Sequence, residues 1–427
     1  MHDSACSRNR LAGTAVAGMV RGRGLLPALA PALAGGVAAA ALAAAPGLRE
    51  GVTPWLPATV LAALGGAVLL ALALRRSRGL WAVLALALAF DTTRRWGGPP
   101  GDDGPASFAW AATALLLPLL LASIALASDR PLGSAGGLGC GVVVAAAPLG
   151  AAFLWLSFQD RAIAAILYTP AGSPVPLPLA GLAAALLASL VVILRTVQRR
   201  TALEGSLLGS LWLAVGGLAA GPGSAWLPLL LALGAVVVLV GMSRSAFELA
   251  FLDPLTGLPG RRALEEDLRG LDGPLVAAMV DIDHFKSVND THGHEVGDQV
   301  LRMVASRLAL VGGGGKAYRW GGEEFALLFP GRTLAQVRPH VEAVREAIAA
   351  SPFVLRAEDR PKRTPRRRGS GSGRPTLAVT VSGGLAEGQG SEAAALLKAA
   401  DAALYRAKNA GRNRICEAVT ASRGAAG

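Results

Sequence analysis

Hydrophobicity is divided unevenly along this chain, and that division constrains the fold more than any single residue does. Apolar runs of about twenty residues, the length that crosses a bilayer, fall near 25–45, 55–74, 107–127, 138–157 and 176–194. Shorter or glycine-broken runs lie near 79–90, 203–219 and 225–242. Mean hydropathy is +0.47 over 427 residues, which points to membrane spans rather than one large soluble domain. Almost all of the excess precedes residue 243. The expectation is an N-terminal all-α transmembrane helix bundle over 25–242, preceded by a tail at 1–24. A short amphipathic connector helix at 243–252 would lead into a soluble domain of ordinary size at 253–418, followed by a flexible tail at 419–427.

Charge placement tests the span count. Arg8, Arg10, Arg21 and Arg23 precede the first run, Arg75, Arg76 and Arg78 follow the second, and Arg195, Arg199 and Arg200 follow the sixth. The positive-inside rule puts all of them on the cytoplasmic side. About eight helices with the N-terminus inside satisfy that rule and leave the C-terminal domain in the cytoplasm. Arg94 and Arg95 cut against the pattern, although Asp91, Asp102 and Asp103 share their loop. The run at 79–90 is the weakest span. The first run has the basic start of a signal peptide, but its long N-terminal extension and the parity of the topology favour a retained helix. No run carries a His pair or an acid at mid-span, which argues against a transporter. Eight spans exceed what anchoring needs and favour a sensor of membrane input. Cys6, Cys140 and Cys416 are too few and too scattered for a disulfide framework or a metal cluster.

In the soluble part, Arg319-Trp320-Gly321-Gly322-Glu323-Glu324-Phe325 lies between two apolar runs. It predicts a tight hairpin with carboxylates at its tip, its glycines supplying positive φ and room for a bulky phosphate ligand. Upstream, Asp281-Ile282-Asp283 ends the apolar strand 275–282. Acids at two facing strand ends suit a hard cation and phosphoryl transfer. Strands are expected also at 317–320, 325–329 and 376–385, and helices at 262–271, 296–310, 334–348 and 391–409. Hairpins and crossovers around one sheet make an α+β domain.

The motifs resemble those of the GGDEF family of diguanylate cyclases over roughly 250–418. The resemblance rests on Asp253-Pro-Leu-Thr-Gly-Leu258, Asp281-Ile-Asp-His-Phe-Lys286-Ser-Val-Asn289-Asp and Gly293-His294-Glu-Val-Gly297-Asp298. Gly321-Gly-Glu-Glu-Phe325 and Ala403-Leu-Tyr405-Arg-Ala-Lys408-Asn-Ala-Gly411-Arg412-Asn413 complete it. It implies a ferredoxin-like palm of the nucleotide cyclase type. The implied reaction condenses two GTP molecules to cyclic di-GMP with Mg²⁺ (Mn²⁺ as a substitute) across a homodimer. The resemblance assigns metal ligation to Asp281, the Ile282 carbonyl and Glu323, with Glu324 beside them. Asp281, Glu323 and Glu324 are thus the expected catalytic acids.

Each assignment has a plainer counterpart. Asp281 could merely end a strand, but the acids facing it favour a metal site. Asp283 shares its strand face by alternation, and a catalytic and a structural role stand level. Asn289 and Asp298 suit the donor and acceptor edge of guanine, where the plain alternative is helix capping. His294 either supports that pocket or packs. Lys286, Lys408 and Arg412 suit the triphosphate. The spacing of Lys408 and Arg412 puts both on one helix face if the helix reaches that far. Gly321 and Gly322 would let the nucleotide approach the backbone.

The chain also departs from the family. Where many members carry an Arg-x-x-Asp product-inhibition site, this one has Gly312-Gly313-Gly314-Gly315. Feedback inhibition by cyclic di-GMP is therefore expected to be absent. Gly260 stands in place of a usual Asn, with little effect expected. A basic insertion at 356–374, carrying Arg360, Lys362, Arg363, Arg366, Arg367 and Arg368, has the composition of a disordered loop. Near a membrane it would meet anionic lipid; without aromatics, nucleic acid is not an expected partner. The whole reads as a multi-pass diguanylate cyclase of a bacterial inner membrane, supplying cyclic di-GMP to downstream effectors. Its rivals are a catalytically silent GTP- or cyclic di-GMP-binding module and a transporter with a regulatory domain.

Overall fold

The computed structural model describes residues 25–96, 105–157, 177–221, 223–351, 353–354 and 376–418. Contacts divide the described chain into two units between Glu248 and Leu249. The basic insertion and both tails lie outside the described residues.

The first unit is helical: α1 (Leu25–Ala44), α2 (Pro46–Val52), α3 (Leu56–Leu74), α4 (Arg78–Trp96), α5 (Pro105–Leu126), α6 (Ala135–Ser157), α7 (Leu179–Arg199), α8 (Ala202–Ala219) and α9 (Trp226–Phe251). Every expected apolar run contains a helix. Among the described residues six are long and apolar enough to cross a membrane, and α4 falls outside that set. The reason in α4 is visible: Arg78, Asp91, Arg94 and Arg95 put charge at both of its ends. Its Ala82, Val83, Ala85 and Leu86 are buried against neighbouring helices. The segment 243–251 is no separate connector but the continuation of α9.

Helix α8 runs through the middle of this unit, with most of its side chains buried. A Cβ at Gly205 would lie 1.7 Å from the Ala28 carbonyl oxygen, and one at Gly209 would lie 2.5 Å from the Ala32 Cα. The two glycines, four apart, let α8 and α1 approach backbone to backbone, the packing available where lipid provides no hydrophobic drive.

At the start of α8, Glu204 is fully buried. Arg78 meets both of its carboxylate oxygens, at 2.8 and 3.0 Å, and Arg199 adds a third contact at 3.1 Å. Arg78 also donates to the Ile124 and Ala125 carbonyls, which end α5, and Arg76 pairs with Asp129 at 3.2 Å. These contacts join the ends of α3, α5 and α7 to the starts of α4 and α8.

The second unit is α+β. Helix α10 (Arg261–Arg269) leads into β1 (Pro274–Ile282), α11 (Phe285–His292), α12 (His294–Leu308), β2 (Lys316–Arg319) and β3 (Glu324–Pro330). There follow α13 (Leu334–Ala349), β4 (Phe353–Val354), β5 (Thr376–Leu377), β6 (Val381–Gln389), α14 (Ala393–Asn409) and β7 (Ile415–Glu417). The main sheet runs β2-β3-β1-β6-β7, with β4 and β5 forming a separate pair. Each neighbouring pair in β2-β3-β1-β6 is antiparallel, and β7 joins β6 in parallel. The order β-αα-β-β-α-β around central β1 is the split arrangement of a ferredoxin-like fold. The expected strand 376–385 is broken: 378–380 separates β5 from β6, which runs on to Gln389.

Alternation along β1 divides the core. Val276, Ala278, Val280 and Ile282 pack under α11–α13, whereas Leu275, Ala277 and Met279 pack under α10 and α14. By the same alternation Asp281 and Asp283 emerge on the α10/α14 face.

Candidate active site

β1 and β3 end together. In their register Asp281 lies opposite Glu324, so two of the expected acids share one strand-end pair. The Ile282 N–H donates to the Glu323 carbonyl at 3.4 Å, which ties the third acid to the same place. Asp281 is 3 % exposed, and Lys408 on the last turn of α14 puts its Nζ 2.9 Å from Oδ1. Burial pushes the Asp281 carboxyl up to about 6; Lys408 pulls it back, and the charges of Glu323 and Glu324 raise it further. One lysine therefore leaves the buried Asp281 undercompensated.

The hairpin tip differs from the expected two-residue turn. Neither Gly321 nor Gly322 has positive φ, and residues 320–323 separate the strands. The Trp320 and Gly321 N–H groups both donate to the Glu324 carbonyl, at 2.9 and 3.1 Å. The guanidinium of Arg319 donates to the Gly321 and Gly322 carbonyls, at 3.1 and 2.6 Å, and pairs with Asp253 at 2.8 Å. A wider loop stapled from beneath needs no left-handed residue. What glycine contributes is room: a Cβ on Gly322 would meet nothing within 4 Å. Burial opposes ionisation of Asp253, but hydrogen bonds from Thr256 and Arg319 outweigh it and hold its carboxyl below the ordinary value.

Asn289 and Asp298 come from α11 and α12, which meet at Gly293. Both are half-buried. A Cβ at Gly297 would lie 1.9 Å from Asn289 Oδ1, so the amide rests on the backbone next to Asp298. Neither residue caps a helix. The N-caps are His284 and Gly293, without side-chain cap bonds, which sets helix N-capping aside for this pair. Lys286 and His294 are exposed at the starts of the same helices, and His294 is not packed into the core.

Helix α14 ends at Asn409, so Arg412 does not share a helical face with Lys408. It sits instead in a turn where Gly411, Arg412 and Asn413 have φ of 111°, 61° and 45°.

Residues 250–414 match the model of the family described as diguanylate cyclase, GGDEF domain. The chain carries a GGDEF domain. Over 175 residues it is 42 % identical to the diguanylate cyclase DgcP of Pseudomonas aeruginosa, spanning 39 % of this chain and 24 % of that protein. Over 171 residues it is 42 % identical to the diguanylate cyclase VdcA of Vibrio cholerae, spanning 39 % and 46 %. Over 180 residues it is 38 % identical to the response regulator PleD of Caulobacter vibrioides, spanning 40 % and 36 %. The chain spans less than half the length of each of these relatives, and the likeness lies in the GGDEF domain.

Within the GGDEF domain the acids are neighbours without being gathered. Among the described residues no three His, Cys, Asp or Glu side chains are close enough to hold a metal ion by themselves. The donor set still fits Mg²⁺, which takes one or two carboxylates and completes its shell with water and substrate phosphates. The uncompensated charge around Asp281 is what such an ion would neutralise. A groove of about 940 Å³ opens beside the hairpin between α10 and α14, lined by Trp320, Met279, Arg261 and Lys398. It shares only Glu324 with the acids, so it is a neighbour of this site rather than its outline.

Three features went unread in the sequence: the Arg319 staple, the stacking of Arg261 on the Trp320 ring at 4.2 Å, and the partners of Asp283. The Asp283 carboxylate accepts from Thr380 Oγ1 and Ser382 Oγ, both at 2.7 Å, and from the Asn413 N–H at 3.0 Å. Both of its oxygens are engaged by the protein itself, as in a structural acid. An arginine before a glycine pair was the one available sign of the staple; the others join residues distant in sequence.

Proposed function

We propose that this chain is a membrane-bound diguanylate cyclase that condenses two GTP molecules into cyclic di-GMP and two pyrophosphates. The observation that carries the reading is the strand-end pair Asp281–Glu324, undercompensated by Lys408, with Asn289 and Asp298 on the two helices that follow β1, in a domain whose relatives include named diguanylate cyclases.

Asp298 accepts from the guanine N1–H and exocyclic amine, a donor pair that adenine lacks, while Asn289 meets the remaining edge. Lys408, Arg412 and Lys286 bind the triphosphate, and the Gly321–Gly322 backbone lets it approach. His294 borders the base site. Asp281, the Ile282 carbonyl and Glu323 hold Mg²⁺, with Mn²⁺ as a substitute, and Glu324 stands beside them. Bound there, such ions supply acidity at the attacking 3′-hydroxyl and charge for the leaving pyrophosphate. One domain holds one GTP, so two protomers face each other, and membrane input acts by setting that pairing.

The helical unit is the membrane anchor and candidate sensor, with the GGDEF domain on the cytoplasmic side of a bacterial inner membrane. In support, arginines that the charge rule sends to one side do meet at one end of the unit: Arg76 at Asp129, and Arg78 and Arg199 at Glu204. In this reading the membrane region is 25–242 and the GGDEF domain 253–418, joined by the end of α9.

The test is cyclic di-GMP formation from GTP and Mg²⁺ by the full chain in detergent, beside a Glu323→Ala variant. Product from the wild type alone is expected. Product from both would remove the metal assignment. No product from either, with the domains held together by a fused dimeriser, would leave only a binding module.

A further inference from the structure

We infer that Asp283 is a positioning residue for the triphosphate, acting through the turn that carries Arg412. The inference rests on the reading of Lys408 and Arg412 as phosphate ligands, and it adds a residue that touches neither substrate nor metal. After α14 ends at Asn409, three successive residues adopt left-handed φ, two of them not glycine. Such a backbone persists only where its surroundings fix it. Three of the contacts that do so bear on the inference. The Arg412 N–H donates to the Ala407 carbonyl at 3.1 Å, and Arg345 of α13 donates to Asn413 Oδ1 at 2.7 Å. The third is the Asp283 carboxylate, which takes the Asn413 N–H at 3.0 Å.

Of these three, the third ties the turn to the end of the central strand β1, beside the Gly383 N–H of β6 that donates to the Arg414 carbonyl at 2.9 Å. Asp283 follows β1 directly, its N–H donates to the Thr380 carbonyl at 3.0 Å, and its oxygens are fixed by Thr380 and Ser382 beside β6. Asp283 is 6 % exposed, and its carboxylate holds all three donors in this one orientation. It thus transmits the position of the strand bearing Asp281 to the turn bearing Arg412. The acids and the phosphate cations are thereby held in one frame, where a small misplacement costs rate and affinity.

The test compares affinities for GTP and for guanosine, which lacks phosphate, in the full chain in detergent. Asp283→Ala is expected to weaken GTP binding about tenfold while leaving guanosine binding unchanged. Asp283→Asn, which can still turn an oxygen toward Asn413, should recover most of the loss. If Asp283→Ala does not fold, Asp283→Ser replaces it, its hydroxyl being too short to reach Asn413. Equal losses for both ligands, or unchanged GTP affinity, overturn the inference. Arg412→Ala separates the two levels. If it binds GTP as the wild type does, the phosphate reading fails and takes this inference with it. If Arg412→Ala loses affinity and Asp283→Ala does not, the positioning alone fails.

Discussion

Each half of this molecule buries a carboxylate against a cation, and the two pairs are built oppositely. Glu204 in the helical unit receives two prongs from Arg78 and one from Arg199, and Arg78 spends its remaining donors on helix-end carbonyls. Asp281 in the GGDEF domain receives one lysine, with two further acids near enough to push it toward protonation. Burying charge is costly unless it is paired and hydrogen-bonded. The first pair meets that condition from within the protein. The second does not, and its deficit of positive charge is what a metal–nucleotide complex would fill. Saturation marks a structural pair; undersaturation marks a place for chemistry.

The largest expected effect breaks the second pair. Asp281→Asn removes the metal-facing charge while keeping size and burial. Cyclic di-GMP formation should fall about a thousandfold, the scale of losing a group that stabilises transition-state charge. Thermal unfolding of the same variant at neutral pH should be unchanged or raised, since a burial cost disappears. A variant that lost stability along with activity would show Asp281 to be a structural acid, and the contrast with Glu204 would collapse.

Glu204→Gln should behave in the reverse way. It leaves Arg78 buried without the negative charge of its ion-pair partner, and removing one member of a buried pair costs about 3–5 kcal/mol. A lowered unfolding temperature of the chain in detergent is the expected outcome. An unshifted unfolding temperature would mean that the arginines find water at that end of the unit, making the pair a surface feature.

The two pairs also differ in how far they could be read beforehand. Asp281, Glu323 and Glu324 were legible because strand ends and a glycine turn have local signatures, and alternation along β1 then fixes which acid faces which. The sheet was legible for the same reason, apart from the break at 378–380. Arg78 and Glu204 are 126 residues apart and obey no local period, so only the folded bundle reveals them. Asp283 lay between these cases: alternation gave its face, but its donors arrive from β6 and from the turn after α14. The hairpin was misread in detail because a Gly-Gly pair suggests left-handed φ, whereas the Arg319 staple made a wider loop without it. The glycine stretch at 312–315 was read as a lost inhibitory site, and the fold adds a reason for its last member. A Cβ on Gly315 would stand 2.3 Å from the Phe329 ring, so packing excludes an acid there without rearrangement.

The smallest expected effect lies in the pH dependence of stability, and it sharpens the contrast without touching activity. In the nucleotide-free GGDEF domain Asp281 titrates near 6 rather than at its ordinary 3.8. Between those values the folded protein holds a proton that the unfolded chain has released. Stability then falls as pH rises, because fewer protons are bound in the unfolded state. The contribution is therefore present below about 4 and lost by about 6, on the order of 1 kcal/mol once solvent screening is allowed for. Unfolding measured across that window in the wild type and in Asp281→Asn should give curves that converge at the acid end and separate toward neutrality, with the variant the more stable. Parallel curves would mean that Lys408 already compensates Asp281 in full. The acid would then be as saturated as Glu204, and the physical argument for a charge-seeking site would lose its footing.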